Sequence, residues 1–356
     1  MKKYNFFAGP AILPQEVLMK AAEAVNDFEG MGLSLLEISH RSKQFSAVLE
    51  EAIALPKELL NVPDNYEAMF LTGGASSQFF MSAMNLLDDS EKAGYINTGT
   101  WSTKAIKEAK LYGDISEVAS SKDTNFNYIP KGVTPDSDLK YIHYTSNNTI
   151  FGTQFHALPT ENVPLIADMS SDIFSRKIDV SKHMMIYAGA QKNMGPAGTT
   201  LVLINKDALG KVSRQIPTML DYNTHISKGS SFNTPPVFPI YVSYLTMKWV
   251  KANGGVAGME KRNAEKADLL YGEIDRNGLF EGTAAIEDRS LMNVCFLLKD
   301  DSLKAAFLEK AEAAGCMGLA GHRSVGGFRA SIYNAMNKEG VEVLVDVMKD
   351  FEKTNG

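Results

Sequence analysis

One arrangement recurs along this chain of 356 residues. A short apolar run ends in a glycine-rich or polar turn, and helical spacing follows. EAMFLTGGASSQFFMSAMNLL carries all three parts between Glu67 and Leu87. KAGYINTGTW, ISEVAS, DLKYIHYTSNNTIFGT and NVPLIADMSSD read as further strands running into turns. HMMIYAGAQKNMGPAGTTLVLINK reads as two strands joined through the turn residues from Lys192 to Gly198. Strands alternating with helices predict an α/β fold on a mostly parallel central sheet. In such a sheet the ligand site lies beyond the carboxyl ends of the strands.

Other segments frame this core. Val17, Leu18, Ala21, Val25 and Phe28 predict a helix over 15–28. A second helical stripe runs through Phe45, Val48, Leu49, Ala52 and Ile53. Pro56 lacks an N–H and is expected to kink or break that helix before Leu59 and Leu60. From Arg214 to Pro239 the pattern stops, and a loop of that length inside a compact domain is usually functional or disordered. Helical spacing returns at Tyr241–Val250 and from Val256 to Ile274. The chain closes with strand-like SLMNVCFLL, a helix near 302–314, the segment GLAGHRSVGGFRASIY and a last helix through Val341, Leu344, Val347 and Phe351. A boundary near Gly254 and Gly255 predicts a large domain over 15–254. A smaller α/β domain takes 1–14 and 255–356.

Composition excludes several functions. Lys and Arg number 36 against 42 Asp and Glu, a net charge of −6, without the basic face of a nucleic-acid binder. Two cysteines cannot make a disulfide framework or a four-cysteine zinc site, and no metal is expected. No run reaches the ~18 apolar residues of a membrane span. The opening MKKYNFFAGPAILP is interrupted by Asn5, Gly9, Pro10 and Pro14, unlike a signal peptide. A cytoplasmic protein with no membrane partner is expected.

Chemistry gathers in few places. Asp168 ends one apolar run and Lys192 follows another, so a parallel sheet brings both to one edge. A lysine there can form a Schiff base with a carbonyl, and an aspartate can keep a pyridine nitrogen protonated. Gly73, Gly74, Ala75, Ser76 and Ser77 sit between strand and helix, where free N–H groups hold phosphate. His-Arg occurs twice, as His40-Arg41 and His322-Arg323, with Arg329 close behind. Arginine forks match carboxylate and phosphate. Taken singly, each has an ordinary alternative: a helix cap, a surface ion pair, or for Trp101 a core side chain.

Together these residues resemble the phosphoserine aminotransferase family, pyridoxal-phosphate enzymes of fold type I within class V. The resemblance runs from YNFFAGPAILP through FLTGGASSQF, YINTGTWSTKA, LIADMSSDI, YAGAQKNMGPAG and NTPPVFPIY to GHRSVGGFRASIYNA. It implies that Lys192 is the catalytic Schiff-base lysine, Asp168 the partner of the pyridine nitrogen, and Trp101 the stacking ring. Ala75, Ser76, Thr149 and Gln191 would complete the cofactor contacts. Asn233 and Thr234 would reach the cofactor of a second subunit in a homodimer with shared active sites. Arg329 would take the substrate α-carboxylate, and His40, Arg41, His322 and Arg323 the distal anion. The implied reaction moves the amino group of glutamate to 3-phosphohydroxypyruvate in serine biosynthesis. The resemblance would also extend to the related phosphohydroxythreonine keto acid of vitamin B6 synthesis as an additional substrate. An alanine–glyoxylate-type aminotransferase, a cysteine desulfurase and a non-catalytic cofactor-binding relative are the competing readings.

Overall fold

The computed structural model describes residues 2–356. A seven-stranded sheet forms its centre, in the spatial order Tyr66–Thr72, Thr199–Asn205, His183–Gly189, Leu165–Asp168, Leu139–Thr145, Lys92–Asn97 and Asp114–Ser120. Thr199–Asn205 runs antiparallel to both neighbours, and the other six strands share one direction. The predicted mostly parallel α/β sheet is therefore present. Its inner strands are buried along almost their whole length. This follows from apolar packing on both faces, as parallel sheets require. Phe70, Ile142, Leu165 and Ala188 belong to the core on one face, and Tyr95, Tyr141, Ile166 and Tyr187 to the core on the other.

A separate core surrounds the three-stranded antiparallel sheet of Phe280–Gly282, Asn293–Leu298 and Phe328–Ser331. The helices Lys304–Ala313 and Lys338–Asn355 pack there through Phe307, Leu344 and Phe351. Tyr4 and Phe6, from the start of the chain, join this core. Tyr4–Asn5 pairs with Cys316–Met317.

Two local expectations need correction. The helix Lys43–Leu59 runs through Pro56 without ending. Proline removes only the one bond its N–H would have made in the final turn, and Pro56 is itself buried beside Ala52 and Leu55. Burial of the ring offsets the lost bond. The long irregular segment also contains structure, the short helix Tyr222–Ser227. Tyr222 is fully buried, and its hydroxyl donates to Gln78 Oε1 at 2.7 Å. The segment is thus anchored to the sheet's covering helix.

Candidate active site

Because six strands share a direction, their carboxyl ends deliver five segments to one edge. These are Gly73–Ser76 after the first strand, Trp101 after Asn97, Thr149 after Thr145, Asp168 itself, and Lys192 after Gly189. Thr145, Asp168 and Tyr187 lie side by side in register. Asp168 and Lys192 therefore emerge together, as their positions in the sequence predicted.

A cavity of about 450 Å³ opens at this edge. Ala8, Gly9, Thr100, Trp101, Lys104, Thr149, Ile150, Gln191, Lys192, His322, Arg323, Ser324 and Arg329 line it. No Asp or Glu is among them. Lys104, Lys192, Arg323 and Arg329 form no ion pair among the described residues. Four unpaired cations on one cavity in an acidic protein make an anion site built locally against the net charge.

Thr149 is the pivot of the cavity. Lys192 Nζ donates to its Oγ1 at 2.6 Å, and Arg329 Nη1 donates to its carbonyl oxygen at 3.3 Å. Lys192 Nζ also stands 5.3 Å from the centre of the Trp101 ring. Dehydration lowers the Lys192 pKa to about 8, with Asp168 opposing and Arg329 reinforcing the shift. A substantial neutral fraction near pH 8 suits a nucleophilic, proton-carrying amine. Gly9 covers the lysine stem. An added Cβ there would meet Lys192 Cγ at 3.3 Å, so a side chain at position 9 would crowd the amine.

Asp168 is buried, and Oδ1 accepts bonds from the Ser170 N–H at 2.9 Å and Oγ at 2.6 Å. Burial still raises its pKa, because dehydration outweighs those bonds and the attraction of Lys192. Its Oδ2 has no protein partner among the described residues. The helix Ala75–Leu86 starts after Gly74, without a side-chain cap. The Ser77 N–H donates to the Gly74 carbonyl at 3.0 Å, and those of Ala75 and Ser76 are left to hold an anion. Trp101 Nε1 is buried without a partner.

His322 and Arg323 sit at the tip of a tight turn. The N–H groups of Val325 and Gly326 donate to the His322 carbonyl, each at 2.9 Å. Gly327 adopts φ +53°, and a Cβ there would collide with Phe296 O and Leu297, so the turn requires glycine. His322 Nδ1 accepts the Ser324 N–H at 3.2 Å, leaving Nε2 to carry the proton as a donor. Burial, then Arg329, Arg323 and Lys104, lowers its pKa.

Other expected site residues lie outside the cavity lining. Asn233 and Thr234 are in the exposed loop, where Asn233 Nδ2 donates to the Thr234 carbonyl. His40 and Arg41 precede the helix Lys43–Leu59; Arg41 is exposed without an ion pair, and His40 Nε2 is buried without a partner. Sequence reasoning missed Lys104, although it stands one helical turn beyond Trp101 in Thr100–Ala109. It also missed the buried polar lattice behind Thr149. There Asn147 Nδ2 donates to Asn293 Oδ1 and Ser171 Oγ, each at 2.8 Å. Asn293 Nδ2 reaches Ser331 Oγ at 3.0 Å and Tyr333 Oη at 3.1 Å. Tyr333 Oη donates to Ala8 O at 2.6 Å.

Comparison with known proteins agrees with this geometry. The sequence model of the family "Aminotransferase class-V" matches residues 3–344. A phosphoserine aminotransferase of Phocaeicola vulgatus is 59% identical over 356 residues, covering 99% of each chain. The chain belongs to the phosphoserine aminotransferase family of class-V aminotransferases. Among solved members, that of Bacillus circulans subsp. alkalophilus is 44% identical. It superimposes with a TM-score of 0.96, over 100% of this chain and 99% of that one. The PLP-bound member from Trichomonas vaginalis is 38% identical with a TM-score of 0.93, over 98% and 100%. The family depends on pyridoxal phosphate, and the residues present here fit that group. A dehydrated amine, a buried carboxylate with one unused oxygen, an uncapped helix start and an indole ring converge on one edge.

Proposed function

We propose that the protein transfers the amino group of L-glutamate to 3-phosphohydroxypyruvate, giving O-phospho-L-serine and 2-oxoglutarate. The observation that carries this reading is the acid-free cavity with four unpaired cations and the His322 donor. Both amino-group partners carry an α-carboxylate and a second anion a few bonds away, so one set of cations serves both. An aminotransferase for alanine would have no use for the distal set. A desulfurase needs an accessible thiolate. Cys295 and Cys316 are both buried, and burial pushes their pKa values up to about 12 and about 11. Neither is a nucleophile.

Pyridoxal phosphate, when bound, supplies an electron sink for negative charge developing at the substrate α-carbon. The chain supplies the rest. The first-turn N–H groups of Ala75 and Ser76 would hold the phosphate, with Thr149 and Gln191 completing the contacts. Asp168 would hold the ring nitrogen protonated, and Trp101 would cover the ring. Lys192 would anchor the cofactor and, once displaced by the substrate amine, would take the proton from the substrate α-carbon as general base and deliver it as acid to the cofactor C4′. Arg329 takes the α-carboxylate, while His322 and Arg323 take the distal anion.

The large unit 15–254 holds the cofactor, and 1–14 with 255–356 form the smaller domain carrying Arg329. A homodimer completes the site. Asn233 and Thr234 would reach the cofactor phosphate of a second copy, and His40 and Arg41 would join the distal cations. Exposed Met31, Leu33 and Leu36 stand just before His40 and supply apolar area for such a contact. The unpaired thiols suit a reducing compartment such as the cytoplasm. The phosphorylated keto acid of vitamin B6 synthesis presents the same two anions and would be accepted as well.

A half-reaction tests the reading. Holoenzyme mixed with glutamate alone should release close to one 2-oxoglutarate per subunit. The aminated enzyme should then prefer 3-phosphohydroxypyruvate over pyruvate. Equal use of both keto acids would overturn the assignment. Mixing a Lys192→Ala chain with an Asn233/Thr234 double variant should restore part of the activity. Confirmed subunit exchange without restoration would refute the shared site.

A further inference from the structure

Resting on the proposed reaction, we infer that Lys104 is a specificity-determining cation that binds the distal phosphate of the keto acid alongside Arg323 and His322.

Lys104 lines the same cavity as His322 and Arg323, on the helix Thr100–Ala109. Helical side chains lean toward the preceding turn, which carries Lys104 back over Trp101. Its Nζ stands 4.9 Å from the ring centre. An ordinary surface lysine at this position would pair with Glu108 one turn ahead, a weaker orientation of the i,i+4 pair. No such pair forms, and Lys104 joins no carboxylate among the described residues. The ring contact gives the ammonium a defined place without neutralising it. Its charge reaches His322, where it helps to lower the imidazole's pKa along with burial, Arg329 and Arg323.

Charge accounting then separates the substrates. The cavity's four cations divide by position, with Lys192 at the reacting carbon and Arg329 at Thr149. Arg323 and Lys104 of this chain remain for the distal group, with a neutral Nε2–H from His322 and, in the proposed homodimer, Arg41 of a second copy. A phosphate monoester carries about −1.5 to −2 at pH 7, whereas the distal carboxylate of glutamate carries one charge. Lys104 therefore adds positive charge that the phosphate, with its larger negative charge, uses more than a single carboxylate does. It favours the keto acid with phosphate over the dicarboxylate that leaves the same cavity.

Lys104→Met and Lys104→Arg holoenzymes test this, since Met keeps the length and apolar stem without the charge. Steady-state kinetics should show KM for 3-phosphohydroxypyruvate raised about fivefold in Lys104→Met, with the glutamate half-reaction shifted about twofold. Calorimetric titration of the holoenzyme with inorganic phosphate reads binding without turnover. It should weaken by a similar factor of about fivefold. Lys104→Arg should recover most of both losses. Equal changes for glutamate and the phosphorylated keto acid, or unaltered phosphate binding, would overturn the inference while leaving the proposed reaction standing. A parent enzyme indifferent to the phosphate would overturn the reaction and, with it, this role for Lys104.

Discussion

The two ends of the substrate cavity are built differently. Arg329 lies in the Phe328–Ser331 strand, opposite Cys295 in register, and bonds to the Thr149 carbonyl. Behind it Asn147, Ser171, Asn293 and Ser331 interlock with almost no exposure. At the other end, Arg323 and Lys104 are exposed, and His322 rides on a glycine turn. The contrast follows the chemistry. Every substrate presents the same α-carbon and α-carboxylate, so a fixed receptor serves all of them. The distal groups differ in charge and shape, so adjustable cations on exposed stems serve better.

Replacing Arg329 should show the largest effect. Arg329→Leu would remove the proposed α-carboxylate partner at the rigid end, and kcat/KM should fall on the order of 10³-fold for glutamate and both keto acids alike. A loss confined to phosphorylated substrates would reverse the assignment of the two ends.

The second test uses pH. Capture of pyridoxal phosphate by the cofactor-free protein needs neutral Lys192, whose pKa is lowered to about 8. Below that value the neutral fraction drops, so stopped-flow capture should slow about 50-fold from pH 8 to pH 6. Arg329 helps to lower this pKa. Its removal should therefore move the profile to higher pH, and Arg323→Ala should leave the profile in place. Identical displacement by both variants would remove the distinction between the ends.

Arg323→Ala should reduce kcat/KM for 3-phosphohydroxypyruvate by about 20-fold and for pyruvate by less than about twofold. Asn293→Ala should be smaller in activity and larger in stability. Removing one of the two acceptors of the buried Asn147 amide, and the donor to Ser331 and Tyr333, costs about 2 kcal/mol, seen as a lower Tm. Activity should then fall about fivefold by the same factor for every substrate. A substrate-dependent loss would show that the lattice also tunes the distal end.

Much of the site was legible because it follows local rules. Asp168 ends a strand and Lys192 and Trp101 each follow one, and a parallel sheet places such residues at one edge whatever surrounds it. Lys104 carried a signal as well, one turn beyond Trp101 on the same helix, but a lone lysine on a charged helix looks like solvated surface. The Pro56 expectation failed because local propensity was weighed without the core that buries the ring. The pairing of Asn147 with Asn293 had no signal at all, since 146 positions separate them. Likewise, nothing in the spacing of the two His-Arg pairs distinguished the one that lines this chain's cavity from the one that does not.

The sequence by itself therefore determined the alternating α/β architecture, the edge where chemistry would gather, and the amine and carboxylate that define it. Periodicity and turn chemistry are short-range, and one chain displays them openly. Tertiary structure alone decided which cations share a cavity, which polar groups lock Thr149 and Arg329 in place, and that no Asp or Glu lines that cavity. Those outcomes depend on packing between distant segments, where burial removes water and gives an unpaired charge its strength.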